Sequence, residues 1–101
     1  MKRSKTNRGF GLIEFEDTHK TKCSVQESSA YGNLWLGVSD IDPVIMAVHA
    51  RKLGISTNET NGFIKYHIPE DVIMRERMHI DKKLAKKLIK ILQKFVDSGT
   101  I

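Results

Sequence analysis

From Leu84 onward the apolar residues recur at steps of one, three and four: Leu84, Ala85, Leu88, Ile89, Ile91, Leu92, Phe95 and Val96. That spacing lies on one wide face of an α-helix. Asp81 stands just before it, where a short acid accepts from backbone N–H groups that have no intrahelical partner. Ser98-Gly99 closes it, because glycine takes the left-handed conformation without a Cβ penalty. Each large side chain buried on this face would contribute roughly 1.5–3 kcal/mol. The face is therefore expected to supply the largest share of the core, with Ile101 folding back over its end. The opposite face carries Lys82, Lys83, Lys86, Lys87, Lys90 and Lys94. Lys82 and Lys83 fall in the first turn, where the helix dipole disfavours cations. Such a run is either a solvated lysine face or an electrostatic footprint for a polyanion or an acidic protein surface.

A chain of 101 residues with 40% apolar and 29% charged residues suits one folded domain. The net charge of +5 is unevenly placed. Lys2, Arg3, Lys5 and Arg8 crowd the N-terminus, the lysines crowd the C-terminal helix, and the middle is acidic on balance. Basic ends of this kind favour contact with something anionic. A lone cysteine, Cys23, leaves no intramolecular disulfide and fits a reducing, cytoplasmic setting. No apolar stretch approaches the ~18 residues of a membrane span, and no signal peptide is expected.

Residues 1–7 are polar and expected to be a disordered basic tail, leaving residues 8–101 as a single α+β domain. Gly9 to Glu16 alternates as a strand with Ile13 and Phe15 on its better apolar face. Asp17-Thr18-His19-Lys20 is a turn, and Thr21 to Gln26 returns with Cys23 and Val25 inward. A Ser- and Gly-rich loop leads to the buried strand Leu34-Trp35-Leu36-Gly37-Val38. Trp35 is either a core anchor or a stacking platform. Asp42-Pro43 has the form of a helix start, predicting a helix to about Leu53 with Gly54 at its end. That helix is apolar nearly all round, so it packs on more than one side or leaves a patch for a partner. Asn61-Gly62 is a turn signal before a strand over residues 62–68. Residues 72–80 alternate again, with Met78 and Ile80 inward and Arg75, Arg77 and His79 outward. The expected architecture is a hairpin-rich antiparallel α+β fold, β-β-β-α-β-β-α, packed by the C-terminal helix.

Two stretches carry binding chemistry. Arg75, Arg77 and His79 at i, i+2 and i+4 of one strand would share a face about 7 Å apart. Two guanidiniums beside an imidazole suit phosphate, although a solvated face has the same pattern. The run Arg8-Gly9-Phe10-Gly11-Leu12-Ile13-Glu14-Phe15 resembles the basic-Gly-aromatic-Gly octapeptide of RNA-recognition motifs and cold-shock domains. That resemblance implies that Phe10 stacks on a base and Arg8 meets phosphate. Leu12 stands where those families place a second stacking aromatic, and no strand-helix-strand precedes Arg8.

A wider pattern takes in Arg8-Gly9-Phe10, Glu14-Phe15, Cys23-Ser24-Val25-Gln26, Ser28-Ser29, Trp35-Leu36-Gly37, Arg77-Met78-His79, Phe95-Val96 and Gly99. It resembles small accessory proteins of phages and prophages. The resemblance implies an anti-CRISPR-like setting, in which a small protein inhibits a host defence protein or ribonucleoprotein complex by occupying its surface. It carries no catalytic residues over to this chain.

For chemistry beyond binding the sequence offers little. His19 and Cys23 lie across a hairpin turn, and His49, His67 and His79 show no ligand spacing, so no metal site is expected. Cys23 reads as a small buried residue, and the acids sit at turns without a paired geometry. No phosphate-binding loop or dinucleotide fingerprint is present. The expectation is a non-enzymatic protein without cofactor, binding through Arg8, Phe10, Arg75, Arg77, His79, Lys83, Lys86, Lys87, Lys90 and Lys94. It would act as a phage-type inhibitor or as a free-standing RNA-binding module. A sponge for nucleotide second messengers, gripping phosphates with Arg75 and Arg77, is a third reading.

Overall fold

The computed structural model describes all 101 residues. The fold is mixed α+β with antiparallel sheets, as the alternating patterns imply. The expected domain over residues 8–101 comprises two compact units. One is made of Met1–Asp40 with Arg75–Ile101, the other of Ile41–Met74.

The first unit is a five-stranded antiparallel sheet, with β1 (Lys2–Lys5), β2 (Gly11–Glu16), β3 (Lys22–Glu27) and β4 (Asn33–Val38) side by side in chain order. A later strand, Arg77–Asp81, pairs on the far side of β4; β5 (Val44–Met46) and β6 (Phe63–Lys65) lie in the second unit, so it is β7. The expected disordered tail is instead the edge strand β1, with Arg3 opposite Ile13 and Lys5 opposite Gly11. Its return is made possible by Gly9, whose φ of 85° turns the chain within four residues. Three cations on four residues suit an exposed edge, because charge discourages another strand from adding there.

Strand pairing decides the two faces. Ile13, Val25, Leu36 and Met78 fall in one cross-strand row, and Leu34 and Ile80 lie in the next row on the same face. The other face carries Leu12, Gln26, Trp35 and His79 in one row, and Glu14, Ser24, Gly37 and Arg77 in the next. Cys23 and Ile80 are buried on the apolar face, as the alternation predicts. Gly37 lies opposite Arg77 with the β7 backbone close against it. A Cβ there would meet the Glu76 carbonyl oxygen at 2.6 Å and Arg77 Cα at 2.9 Å. Gly37→Ala should therefore cost about 1–3 kcal/mol through backbone overlap. Urea denaturation should show a lower midpoint with an unchanged slope.

The β2–β3 turn is held by Asp17, whose carboxylate accepts from the backbone N–H of Thr21 at 2.9 Å and of His19 at 2.8 Å. The Thr21 N–H is the main cause that draws the Asp17 carboxyl below the ordinary carboxylate range, with His19 adding to it. A depressed folded pKa means that the contribution is present above the unfolded pKa and is lost as pH falls through the folded one. Protection of the Thr21 amide against exchange, taken relative to the intrinsic exchange rate at each pH, should therefore fall on acidification below the ordinary aspartate range. In Asp17→Asn that acid dependence should vanish.

The C-terminal helix α1 (Lys82–Ser98) has the predicted bounds. Asp81 accepts from the Leu84 N–H at 2.8 Å, and Gly99 caps the other end with φ 77°. Its expected role as the main supplier of core is not what the structure shows. Only Ala85 and Leu88 are half-buried, and its principal neighbour is β7, from which it continues directly. Ile89 is 64% exposed, Leu92 61% and Val96 75%. Ile101 is likewise exposed rather than a lid, its carbonyl accepting from Lys94 Nζ at 2.9 Å. An amphipathic pattern specifies which face would be buried, not what buries it.

The second unit replaces the expected helix over residues 43–53. β5 (Val44–Met46) pairs antiparallel with β6 (Phe63–Lys65), and Ala47–His49 and Arg51–Leu53 form two short 3₁₀ turns. The β-branched pair Val44-Ile45 favours extended backbone. Here it finds a strand partner across the turn at Asn61-Gly62, with Ala47 N–H bonded to the Gly62 carbonyl at 2.8 Å. Asp42 caps no helix; Gly54 does close the segment in the left-handed conformation. Ala47 and Ala50 are buried. The strand predicted over 62–68 is only three residues long, and that over 72–80 begins at Arg77.

Candidate nucleic-acid interface

The site lies at one end of the polar face of the first unit. There the β1–β2 turn, the loop between β3 and β4 and the junction of β7 with α1 come together. The turn is organised by Thr6. Its N–H donates to the Phe10 carbonyl at 2.8 Å, its carbonyl accepts from Gly9 N–H at 2.9 Å, and its hydroxyl accepts from Phe10 N–H at 3.1 Å. These bonds hold Arg8 and Phe10 against each other, the guanidinium carbon 5.3 Å from the ring centroid. Gly9 serves the turn, and the Gly11 N–H donates to the Glu27 carboxylate.

Across the sheet a second arginine–aromatic pair faces the first. Trp35 lies opposite His79 in the ladder, with ring centroids 4.1 Å apart and an edge-on angle of 65°. Arg77, two residues along β7 on the same face, places its guanidinium carbon 4.7 Å from the Trp35 ring centroid. Its Nη1 donates to Gln26 Oε1 at 3.2 Å. The partner is a neutral amide, so the cation is oriented without being neutralised. Ser28 Oγ stands 3.4 Å from His79 Nε2 and accepts from the Ala30 N–H at 3.0 Å, tying the loop to the strand.

Between the two pairs runs a groove of ≈ 370 Å³ lined by Arg8, Phe10, Gln26, Ser28, Trp35 and Arg77. A second hollow of ≈ 490 Å³ shares Phe10 and Ser28 and extends past Tyr31 to Lys82 and Ala85 of α1. Tyr31 is 99% exposed on the loop. Guanidinium groups beside aromatic rings, with amide and hydroxyl groups nearby, can stack a flat base and meet the phosphates next to it.

Of the expected residues, the structure brings Arg8, Phe10, Arg77 and His79 to this end of the sheet. Arg75 is not among them. It precedes β7 in an irregular exposed segment, so strand alternation does not align it with Arg77, and the two-arginine phosphate grip is not formed. Lys83, Lys86, Lys87, Lys90 and Lys94 are exposed on α1 and do not line the groove. Gln26, Ser28 and Tyr31 line the site without having been expected as binding residues, and Trp35 is half-buried on the polar face of the sheet rather than enclosed in the core. Parity could have found Trp35: it alternates with Leu34, Leu36 and Val38 and shares a face with Gly37.

No group of three or more His, Cys, Asp or Glu side chains is placed to hold a metal ion. No helix is long and apolar enough to cross a membrane. Comparison with protein-family models, with curated proteins and with solved structures finds no match to this chain, so the geometry of this groove is what bears on function.

Proposed function

We propose that this chain is a non-enzymatic binding module whose arginine–aromatic groove takes a single-stranded nucleic acid, with RNA as the first candidate. The observation that carries it is the pair of facing units, Arg8 on Phe10 and Arg77 on Trp35, on an open sheet face. Aromatic faces stack bases of any sequence, and fixed guanidiniums supply phosphate contacts. The net charge of +5 adds a long-range attraction for a polyanion.

Trp35 is the only tryptophan, so its fluorescence reports on the groove directly. Adding a short single-stranded RNA should quench it at micromolar concentrations, and log affinity should fall linearly with log salt. Unchanged fluorescence, together with no gel shift at low salt, would rule the reading out.

A second reading follows from α1, where Lys83, Lys86, Lys87, Lys90 and Lys94 stand exposed and line neither the groove nor the second hollow. There the chain acts as a phage-type inhibitor of a host defence ribonucleoprotein, covering that complex's RNA-binding surface. It predicts weak binding to naked RNA and a stable complex with the defence assembly. A pull-down with and without RNase separates the two.

A further inference from the structure

We infer that the chain is an obligate homodimer, in which α1 of each copy lies across the apolar sheet face of the other. The chain exposes 8957 Å². A compact globule of 11.5 kDa exposes about 5,800 Å², and two separate compact bodies with the sizes of its two units would expose about 6,900 Å². The surplus of about 2,000 Å² per chain is of the order that obligate homodimers hide.

Part of the surplus lies in the second unit, where Phe63 is 70% and Ile73 87% exposed, and the rest lies on two surfaces of the first unit. Leu84, Ile89, Ile91, Leu92, Phe95 and Val96 are all exposed on α1, between 41% and 75%. On the sheet face that no strand covers, Leu34 is 37% and Met78 56% exposed, with Ile13, Val25 and Leu36 half-buried beside them. A monomeric soluble protein rarely leaves two such surfaces open.

A second copy is the occupant that satisfies both at once. A helix of this length spans about 25 Å, and a sheet of five strands is roughly 19–24 Å wide. Each chain thus offers one rod and one platform of matching size, and a two-fold axis pairs rod to platform twice. The lysines lie on the other side of α1, so the contact keeps them in solvent. Along α1 the sequence even provides two adjacent seams, Leu84-Leu88-Ile91-Phe95 and Ala85-Ile89-Leu92-Val96. Both follow the four-three spacing of helices that pack on more than one neighbour. Each dimer then carries two grooves, which raises avidity for a strand long enough to reach both.

Light scattering on the intact chain at micromolar concentration should give twice the 11.5 kDa chain mass, and the melting temperature should rise with protein concentration. Ile89→Lys with Val96→Lys should shift the mass to that of one chain or leave the protein unfolded. Val48→Lys, an equally drastic change at an exposed site in the second unit, should leave the double mass intact. A wild-type mass of one chain with a concentration-independent melt overturns the inference. A dimer that survives the double α1 substitution unchanged also overturns it. The wild-type measurement stands on its own if the α1 variant fails to fold.

Discussion

Replacing Ile80 by alanine should remove about 2–5 kcal/mol of stability, the cost of deleting a buried isoleucine side chain and leaving a cavity. Ile80 is 5% exposed, faces Leu34 across the β4–β7 ladder, and is one residue from the cap of α1. No other large side chain in this chain is so enclosed: the remaining buried residues are the small Cys23, Ser24, Ala47 and Ala50. A chain of this size has roughly 5–15 kcal/mol to lose, so the variant should sit close to its unfolding threshold at physiological temperature. The natural control is Ile73→Ala. The same residue type, which the alternating pattern placed in the same strand, is 87% exposed there and should change stability by no more than about 0.5 kcal/mol. Urea denaturation of the two variants side by side measures the difference. Equal midpoints would mean that β7 does not carry the core of the first unit.

The second large effect is on binding. Trp35→Ala should weaken single-stranded RNA by roughly 1–3 kcal/mol, about five- to 150-fold, because a stacking platform is lost. The loss is compounded because Arg77 and His79 both rest on that ring and lose their support with it. Arg77→Lys is the sharper probe. It keeps the charge but not the planar guanidinium, so affinity should fall while the salt slope stays nearly constant. Lys90→Gln should behave the opposite way if α1 contributes phosphate contacts, lowering the salt slope by about one with a modest loss of affinity. Electrophoretic mobility shift across a salt series reads all three. Wild-type affinity in Trp35→Ala would remove the groove from consideration, whatever α1 does.

Local chemistry made much of this protein legible in the sequence. Asp81 and Gly99 bracket α1 because capping is decided within a few residues. The β2–β3 hairpin follows from alternation around a polar turn, but burial does not keep that alternation, since Ser24 on the opposite face is 2% exposed beside Cys23 at 9%. Arg77 and His79 were marked by residue type and spacing, Arg8 and Phe10 only by the octapeptide resemblance, and the fold brings the four to one end of a sheet. Where the reading failed, two local preferences competed. Asp42-Pro43 favours a helix start, but Val44 and Ile45 found a strand partner in Ile64 and Lys65, twenty residues away.

What the tertiary structure alone decided is who meets whom. Periodicity says that Trp35 shares a face with Gly37, but only the β4–β7 register puts Arg77 and His79 against it. It says that α1 has an apolar side, but only the fold leaves that side uncovered within one chain. The reason is the range of the forces involved: capping and alternation act over a few residues, whereas the β5–β6 and β4–β7 pairings join segments about twenty and forty or more positions apart, where no local pattern records the partner.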